Sequence, residues 1–416
     1  FSLGNDSRLI RLNEVISLDE VLRPLQYTPG ATTKDVVQHL LAEDNHPPIY
    51  FVVAHIWMNV WRWLGGSTDG HASLWATRAL SAFFGALAVP GVYYLAWLSG
   101  KHKLVGQLSA VLMAVSPFGV FLSLAARHYT LAMLCVIASL CCFVVTARAL
   151  LQHRSTHWLI AGAWVVINTI GLSVHYFFIK VYGACVGTLL GSFLCVRVFF
   201  IFYGSPQTSF LRVQQVTISY WLNPIWQSLA GWFYTVLSPV TNGFGTLSVV
   251  VIVVSCVLLL VLYSPWITWV LGRSLIFQYR RQSFRATLQL LGGFFLIANV
   301  LFFLICYASG FDITRGHRYT FVFSPALVVI VAVGLAPYWQ RIRSAYSHQD
   351  FSRAPLPLFK KGLDGKSFVV IVLAIAFIGS QFIVFKRSNL KFYKADRLIQ
   401  FIQAESALPV VIADSA

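Results

Sequence analysis

The sequence predicts an all-α membrane protein, a polytopic helical bundle preceded by an outward-facing acidic loop with an interfacial helix. Two observations carry this. Charged residues make up 11% of the chain against 57% hydrophobic, with a mean hydropathy of +0.71, too little charge to cover a soluble surface of this length. Several apolar runs also reach the roughly 20 residues that cross a bilayer core. The formal charge of +17 suggests nucleic acid at first, but most Lys and Arg sit in short tracts between apolar runs. That is the pattern of cytoplasmic loops, with membrane lipids and their anionic head groups as the partners. Nucleic-acid binding is set aside on this ground.

Residues 1–73 read as an outer acidic loop with an interfacial helix. They open with Phe1 and carry no signal peptide, so a further span is expected before residue 1. The stretch 1–46 holds seven of the fourteen acids: Asp6, Glu14, Asp19, Glu20, Asp35, Glu43 and Asp44. From Gly70 to Phe311 there is no Asp or Glu at all, so carboxylate chemistry is confined to a short set of candidates. His46-Pro47-Pro48 then opens a helix over 49–62, because proline at a helix start forfeits no intrahelical donor. His55, Asn59 and Arg62 fall on one stripe of it. Aliphatic and Trp residues fill the other faces, which predicts a helix lying along the membrane surface.

Residues 74–385 read as the transmembrane bundle, with about ten spans. They fall at 74–98, 104–122, 129–149, 157–173, 175–199, 246–264, 287–308, 319–337 and 367–385. Lys101, Lys103, Arg148, Arg154, Arg273, Arg280, Arg281 and Arg285 mark one side as cytoplasmic, and Arg341, Arg343, Lys360, Lys361 and Lys366 mark it again. With that side inside, residues 1–46 face out, as do the loops bearing Arg127, His175 and Arg318. An odd number of crossings must lie between 199 and 246. The segment 213–237 supplies one, with a helix expected to break at Asn223-Pro224. Residues 386–416 read as the start of an outer C-terminal segment, where Val410-Val411-Ile412 has the look of a strand; Lys386, Arg387, Lys391 and Lys394 run against the charge rule there. All seven Cys lie in apolar runs without zinc spacing, so no metal ligand set is assigned.

The candidates for chemistry follow from this layout. Asp19-Glu20, in the outer segment, suits a general base toward an acceptor hydroxyl or amine; the alternative is a solvated loop or helix N-terminal charge. Glu43-Asp44-Asn45-His46 is a second cluster, in which His46 meets a carboxylate or phosphate, or Asp44 or Asn45 caps a helix. Arg127 with Tyr129, and Arg318 with Tyr319, sit where spans meet the outer face. Arginine there grips a phosphate through two donors, or anchors the helix by snorkelling to head groups. His175-Tyr176 precede Lys180, an ammonium about one and a half turns into an apolar stretch, costly unless paired or near water. It either binds an anionic donor or snorkels.

Taken in order, these motifs resemble the GT-C superfamily of glycosyltransferases, most closely family 39, the protein mannosyltransferases, and their bacterial polyprenyl-phosphate-sugar relatives. The resemblance rests on Asp19-Glu20, His46-Pro47-Pro48-Ile49-Tyr50, Ser116-Pro117-Phe118, Ala126-Arg127-His128-Tyr129 and Arg318-Tyr319. It implies a GT-C type fold in a bacterial plasma membrane and a polyprenyl-phosphate-linked sugar donor. Transfer would take place on the outer face with inversion, to an acceptor it does not identify. It also implies Asp19 as base, and Arg127 and Arg318 on the donor phosphate. No cofactor is called for, though a divalent metal stays open. Where relatives carry Glu two residues before the arginine of the Ala-Arg-x-Tyr motif, this chain has Ala125; either the pair at 19–20 suffices, or Glu43, Asp44 or Asp312 substitutes, or activity is altered or lost. Two rival readings are a lipid-linked substrate transporter and a non-catalytic member. The first is opposed by the lack of acids in the predicted spans and of an internal repeat.

Overall fold

The computed structural model describes residues 2–5, 25–44, 46–66, 70–190, 218–237, 250, 253–254, 257–280, 284–310, 312–340 and 365–385. Asp19 and Glu20, the loop 341–364 and the segment 386–416 lie outside them. The chain divides into two compact units, residues 1–80 with 389–416, and residues 81–388.

In the first unit, α1 (Thr33–Glu43) opens on a capping box. Thr32 Oγ1 accepts from the Asp35 amide at 3.4 Å, and Asp35 Oδ2 accepts from the Thr32 amide at 2.7 Å. Those hydrogen bonds hold the Asp35 carboxyl below its ordinary value. The helix expected after Pro47-Pro48 is α2 (Ile49–Trp63), which packs on α1 and buries Tyr50, Ala54, His55 and Met58. Its polar stripe has partners inside the unit. His55 Nδ1 donates to the Ser2 carbonyl at 2.9 Å while its Nε2 accepts from Asn59 at 3.0 Å. Arg62 lies over the Tyr27 ring at 5.0 Å. Beside Arg62, α2 leaves Ile56, Val60 and Trp63 exposed, apolar side chains of the kind that enter a lipid interface. Apart from the isolated bridge between Gln26 and His71, the described residues contain no β-structure.

The helices that follow are α3 (Leu74–Gly100), α4 (Lys103–Val115), α5 (Pro117–Leu124), α6 (Tyr129–Leu151), α7 (Trp158–Val174) and α8 (Phe178–Leu190), then α9 (Ile218–Tyr234), α10 (Ser264–Arg280), α11 (Arg285–Ser309), α12 (Ser324–Gln340) and α13 (Gly365–Val384). Five helical stretches among the described residues are long and apolar enough to cross a membrane: Trp75–Gly100, Tyr129–Leu151, Val257–Arg280, Arg285–Ala308 and Gly365–Val384. A sixth is added if α4 and α5, bent by 51°, count as one span. The protein is an all-α, multi-pass integral membrane protein.

Several expected boundaries move. The span at 104–122 is broken at Ser116, and the one expected from 319 begins as a 3-10 turn, with α12 starting only at Ser324. The helix expected at 246–264 continues as far as Arg280, so Arg273 is helical and lies over the Trp269 ring at 4.9 Å. Pro224 does not break α9; it removes one backbone donor, and the packed helix absorbs that loss.

In the second unit α12 is the most deeply buried helix, packed on α4, α10, α11 and α13. Its Ala, Val and Gly residues let the neighbours come close, and Ser274 Oγ reaches the Gly334 carbonyl at 2.7 Å. α6 packs on α7 and α8, with Trp164 Nε1 donating to Ser139 Oγ at 2.9 Å and Ser139 Oγ to Asn168 at 3.1 Å. The Ser99 carbonyl takes both the Thr287 hydroxyl, at 2.7 Å, and the Arg148 guanidinium. These ties join α3, α6 and α11 at one end. The start of α6, the α7–α8 junction, the end of α9 and the loop after α11 meet at another place.

Candidate functional site

The break at Ser116 positions the first arginine. Ser116 caps α5 by accepting from the Gly119 amide at 3.3 Å, with Pro117 at the first helical position. Its hydroxyl donates to the Thr235 carbonyl, just past α9, at 2.7 Å. α5 is short, and the Arg127 amide closes a tight turn onto the Ala125 carbonyl at 2.7 Å. Ser81 Oγ donates to the Arg127 carbonyl at 3.0 Å. The backbone at Arg127 is therefore pinned while its side chain stays exposed. The next two residues turn inward: His128 and Tyr129 are both 2% exposed.

His175 comes from the C-terminus of α7. Its Nδ1 accepts from the Phe177 amide at 3.0 Å, so in the neutral ring the proton sits on Nε2, which is then a donor. Its ring lies 4.8 Å from that of His128, 5.7 Å from Tyr129 and 5.8 Å from Tyr319. The turn His317–Val322 brings the second arginine. The Arg318 guanidinium lies 5.9 Å from the Tyr129 ring centre and 5.3 Å from that of Tyr319. Arg127 and Arg318 both act electrostatically on the Tyr129 hydroxyl. Arg127, Tyr129, His175, Arg318 and Tyr319 thus form one cluster, although 190 residues lie between the two arginines in sequence.

Lys180 joins it through Phe177. Its ammonium, 2% exposed, lies 3.6 Å from the Phe177 ring centre and 3.9 Å from that of Phe302, within cation–π range of both. Phe177 in turn packs edge-on against Tyr319 at 4.4 Å. The remaining expected residues sit in the first unit. Asp44 follows the last residue of α1, its amide donating to the Leu40 carbonyl at 2.9 Å, and its carboxylate pairs with His46 Nδ1 at 2.7 Å, so the expected partner of His46 is a carboxylate and the Asp44 side chain does not cap the next helix. Glu43 is the last residue of α1.

Reasoning from the sequence missed His128, Phe177 and Phe321 as parts of the cluster, the last with its ring 6.2 Å from that of Tyr129 and 5.1 Å from that of His175, and it missed the neighbouring His317. His128 was in view as the variable residue of Ala-Arg-x-Tyr; it is buried because it immediately precedes α6. His317 packs on Tyr234 at 5.3 Å, and its Nδ1 has no hydrogen-bond partner among the described residues. Burial holds its imidazole below the ordinary histidine value. The unfolded chain then takes up that proton before the folded one does, so stability declines as pH falls through about 6.5. Thermal melts across that range should show the decline in the wild type and a flatter curve in His317→Gln.

Chemically, the second unit sets Arg127, Arg318 and Lys180 against a single described acid, Asp312. Such a place favours an anion, and arginine forks beside aromatic rings suit phosphate oxygens and an apolar or sugar neighbour. Among the described residues no group of three or more His, Cys, Asp or Glu could hold a metal ion. Residues 58–225 match the family model of dolichyl-phosphate-mannose-protein mannosyltransferases, a stretch that contains Arg127, Tyr129, His175 and Lys180. No curated protein and no solved structure matches the chain.

Proposed function

We propose that this multi-pass membrane protein, similar over residues 58–225 to the protein mannosyltransferases, is a glycosyltransferase using a polyprenyl-phosphate-linked sugar donor. It would act on the non-cytoplasmic face of a bacterial plasma membrane. The observation that supports this most is the pair Arg127 and Arg318, both acting on Tyr129 within one aromatic and imidazole cluster. In this reading the two guanidinium groups hold the donor phosphate, with Tyr129, Tyr319 and Lys180 beside it and the His175 Nε2–H as a further donor.

Asp19, with Glu20 next to it, takes the proton from the acceptor hydroxyl or amine. The acceptor atom bonds to the sugar C1 as the C1–O bond to phosphate breaks, and the electron pair leaves on the phosphate. A single displacement inverts the centre. Negative charge grows on the departing phosphate, where fixed guanidinium donors contribute most. Glu43, Asp44 and His46 serve as support for the outer segment.

The test is the full chain in proteoliposomes supplied with a polyprenyl-phosphate sugar and candidate acceptors. Release of polyprenyl phosphate together with glycosylated acceptor is the expected result. Equal turnover of a nucleotide sugar would overturn the proposal. Ala125 favours a second reading, a protein that binds the lipid phosphate without transfer; donor binding with no release would select it.

A further inference from the structure

Arg318 and Tyr319 are carried on the loop between α11 and α12, and the shape of that loop depends on a carboxylate outside the cluster. Asp312 is 3% exposed. It opens the 3-10 turn Ile313–Arg315, where its Oδ1 accepts from the Thr314 amide at 3.2 Å and from the Thr314 hydroxyl. The Cys306 thiol, on α11, lies 4.0 Å from the same oxygen. Thr314 is itself buried, and its hydroxyl lies 2.9 Å from the Gln227 side-chain amide on α9. The chain then passes Gly316, where a Cβ would meet the Tyr319 ring at 2.6 Å. The Tyr319 amide donates back to the Gly316 carbonyl at 2.9 Å, and the Thr320 hydroxyl to the His317 carbonyl at 2.8 Å. Short-range contacts thus hold the chain at Thr314, next to the carboxylate, and again in the turn that bears Arg318, two residues further on.

A second observation concerns charge. Cys306 interacts electrostatically with both Asp312 and Lys180, so a buried anion and a buried cation share one neighbour. An ionisable group this deep in a membrane protein is costly unless something balances it. The Asp312 carboxylate is met by the Thr314 amide and hydroxyl, and Lys180 by the Phe177 and Phe302 rings.

We infer that Asp312 is a positioning residue for the anionic donor: its carboxylate caps the 313–315 turn and thereby holds Arg318 and Tyr319 against Tyr129. The identity of the anion rests on the proposed function; the geometry does not. Asp312→Asn keeps the shape and one acceptor oxygen but removes the charge, and Thr314→Val removes the hydroxyl that the carboxylate holds. In the reconstituted full chain, Asp312→Asn raises KM for a polyprenyl-phosphate sugar about tenfold with kcat changed by less than about threefold. A lower kcat at unchanged KM, the mark of a merely smaller folded fraction, overturns the inference. Combining Asp312→Asn with Arg318→Lys gives less than the product of the single effects, because both act through one contact; a full product counts against it.

One readout is independent of activity. Amide hydrogen exchange over 313–322 speeds up in Asp312→Asn and in Thr314→Val, while α6 and α12 keep their protection. Unchanged exchange in that turn overturns the inference even if the chain is an active transferase. If the wild type binds no polyprenyl phosphate, the functional proposal falls, and the exchange result alone decides whether Asp312 positions the loop.

Discussion

Asp19→Asn lowers the rate of donor consumption by about a hundredfold to ten-thousandfold at saturating donor and acceptor, the usual contribution of a general base. KM for the donor stays within about threefold, since an amide of the same shape disturbs phosphate binding little. The size of the effect follows from how few acids are left. There is no Asp or Glu from Gly70 to Phe311, and Ala125 stands where an acid could have shared the task. Asp312 is engaged by Thr314, Asp44 pairs with His46, and Asp35 caps α1. Glu20→Gln should have the smaller effect of a neighbour that assists. Initial rates of polyprenyl phosphate release in proteoliposomes give the answer, and a near-wild-type rate in Asp19→Asn removes it from the role of base.

The helical class was legible because long apolar runs with almost no charge have one stable solution in lipid, in which each backbone group bonds within its own segment. Helix ends were less legible, since they depend on partners remote in sequence. The break at Ser116 is fixed by the Thr235 carbonyl, 119 residues away. Arg273 looked like part of a cytoplasmic loop because it is charged, yet it lies along α10 over Trp269, where an arginine stem packs and its head finds a ring. The stripe of His55, Asn59 and Arg62 was found by spacing alone. Spacing shows which residues share a face and says nothing of what that face meets; Ser2 and Tyr27 supplied the partners.

The cluster was legible in its members more than in its construction. Arginine and tyrosine at the mouths of spans mark two places on the chain, but nothing in the local pattern of 127–129 or 318–319 says that they adjoin. The family resemblance supplied that expectation, and packing of α6 against the turn His317–Val322 brings it about. His128 escaped notice because a variable position in a motif carries no signal of its own. Asp312 was considered as a replacement acid, from its residue type. Its capping role depends on the hydroxyl of Thr314 turning back onto it, which composition and spacing do not reveal.

Arg318→Ala lowers kcat/KM for the donor by about ten- to a hundredfold, the range expected when a hydrogen-bonded charge is removed from a phosphate. The loss divides between the two constants in an informative way. If the guanidinium binds ground state and transition state alike, KM rises and kcat holds. If it stabilises the leaving phosphate as a second negative charge develops, kcat falls as well. Arg318→Lys keeps the charge and loses the planar fork, so it recovers part of the activity and no more. Arg127→Ala should cost less, and its effect should shrink as salt is raised, because its side chain is exposed and solvent screens it. Arg318 is half-buried and stands against two rings, so its effect changes little with salt. The double variant then separates a shared phosphate from two independent anchors. Arginines on one phosphate give a combined loss different from the product of the singles, whereas helix anchors gripping separate head groups multiply cleanly and leave donor KM unmoved.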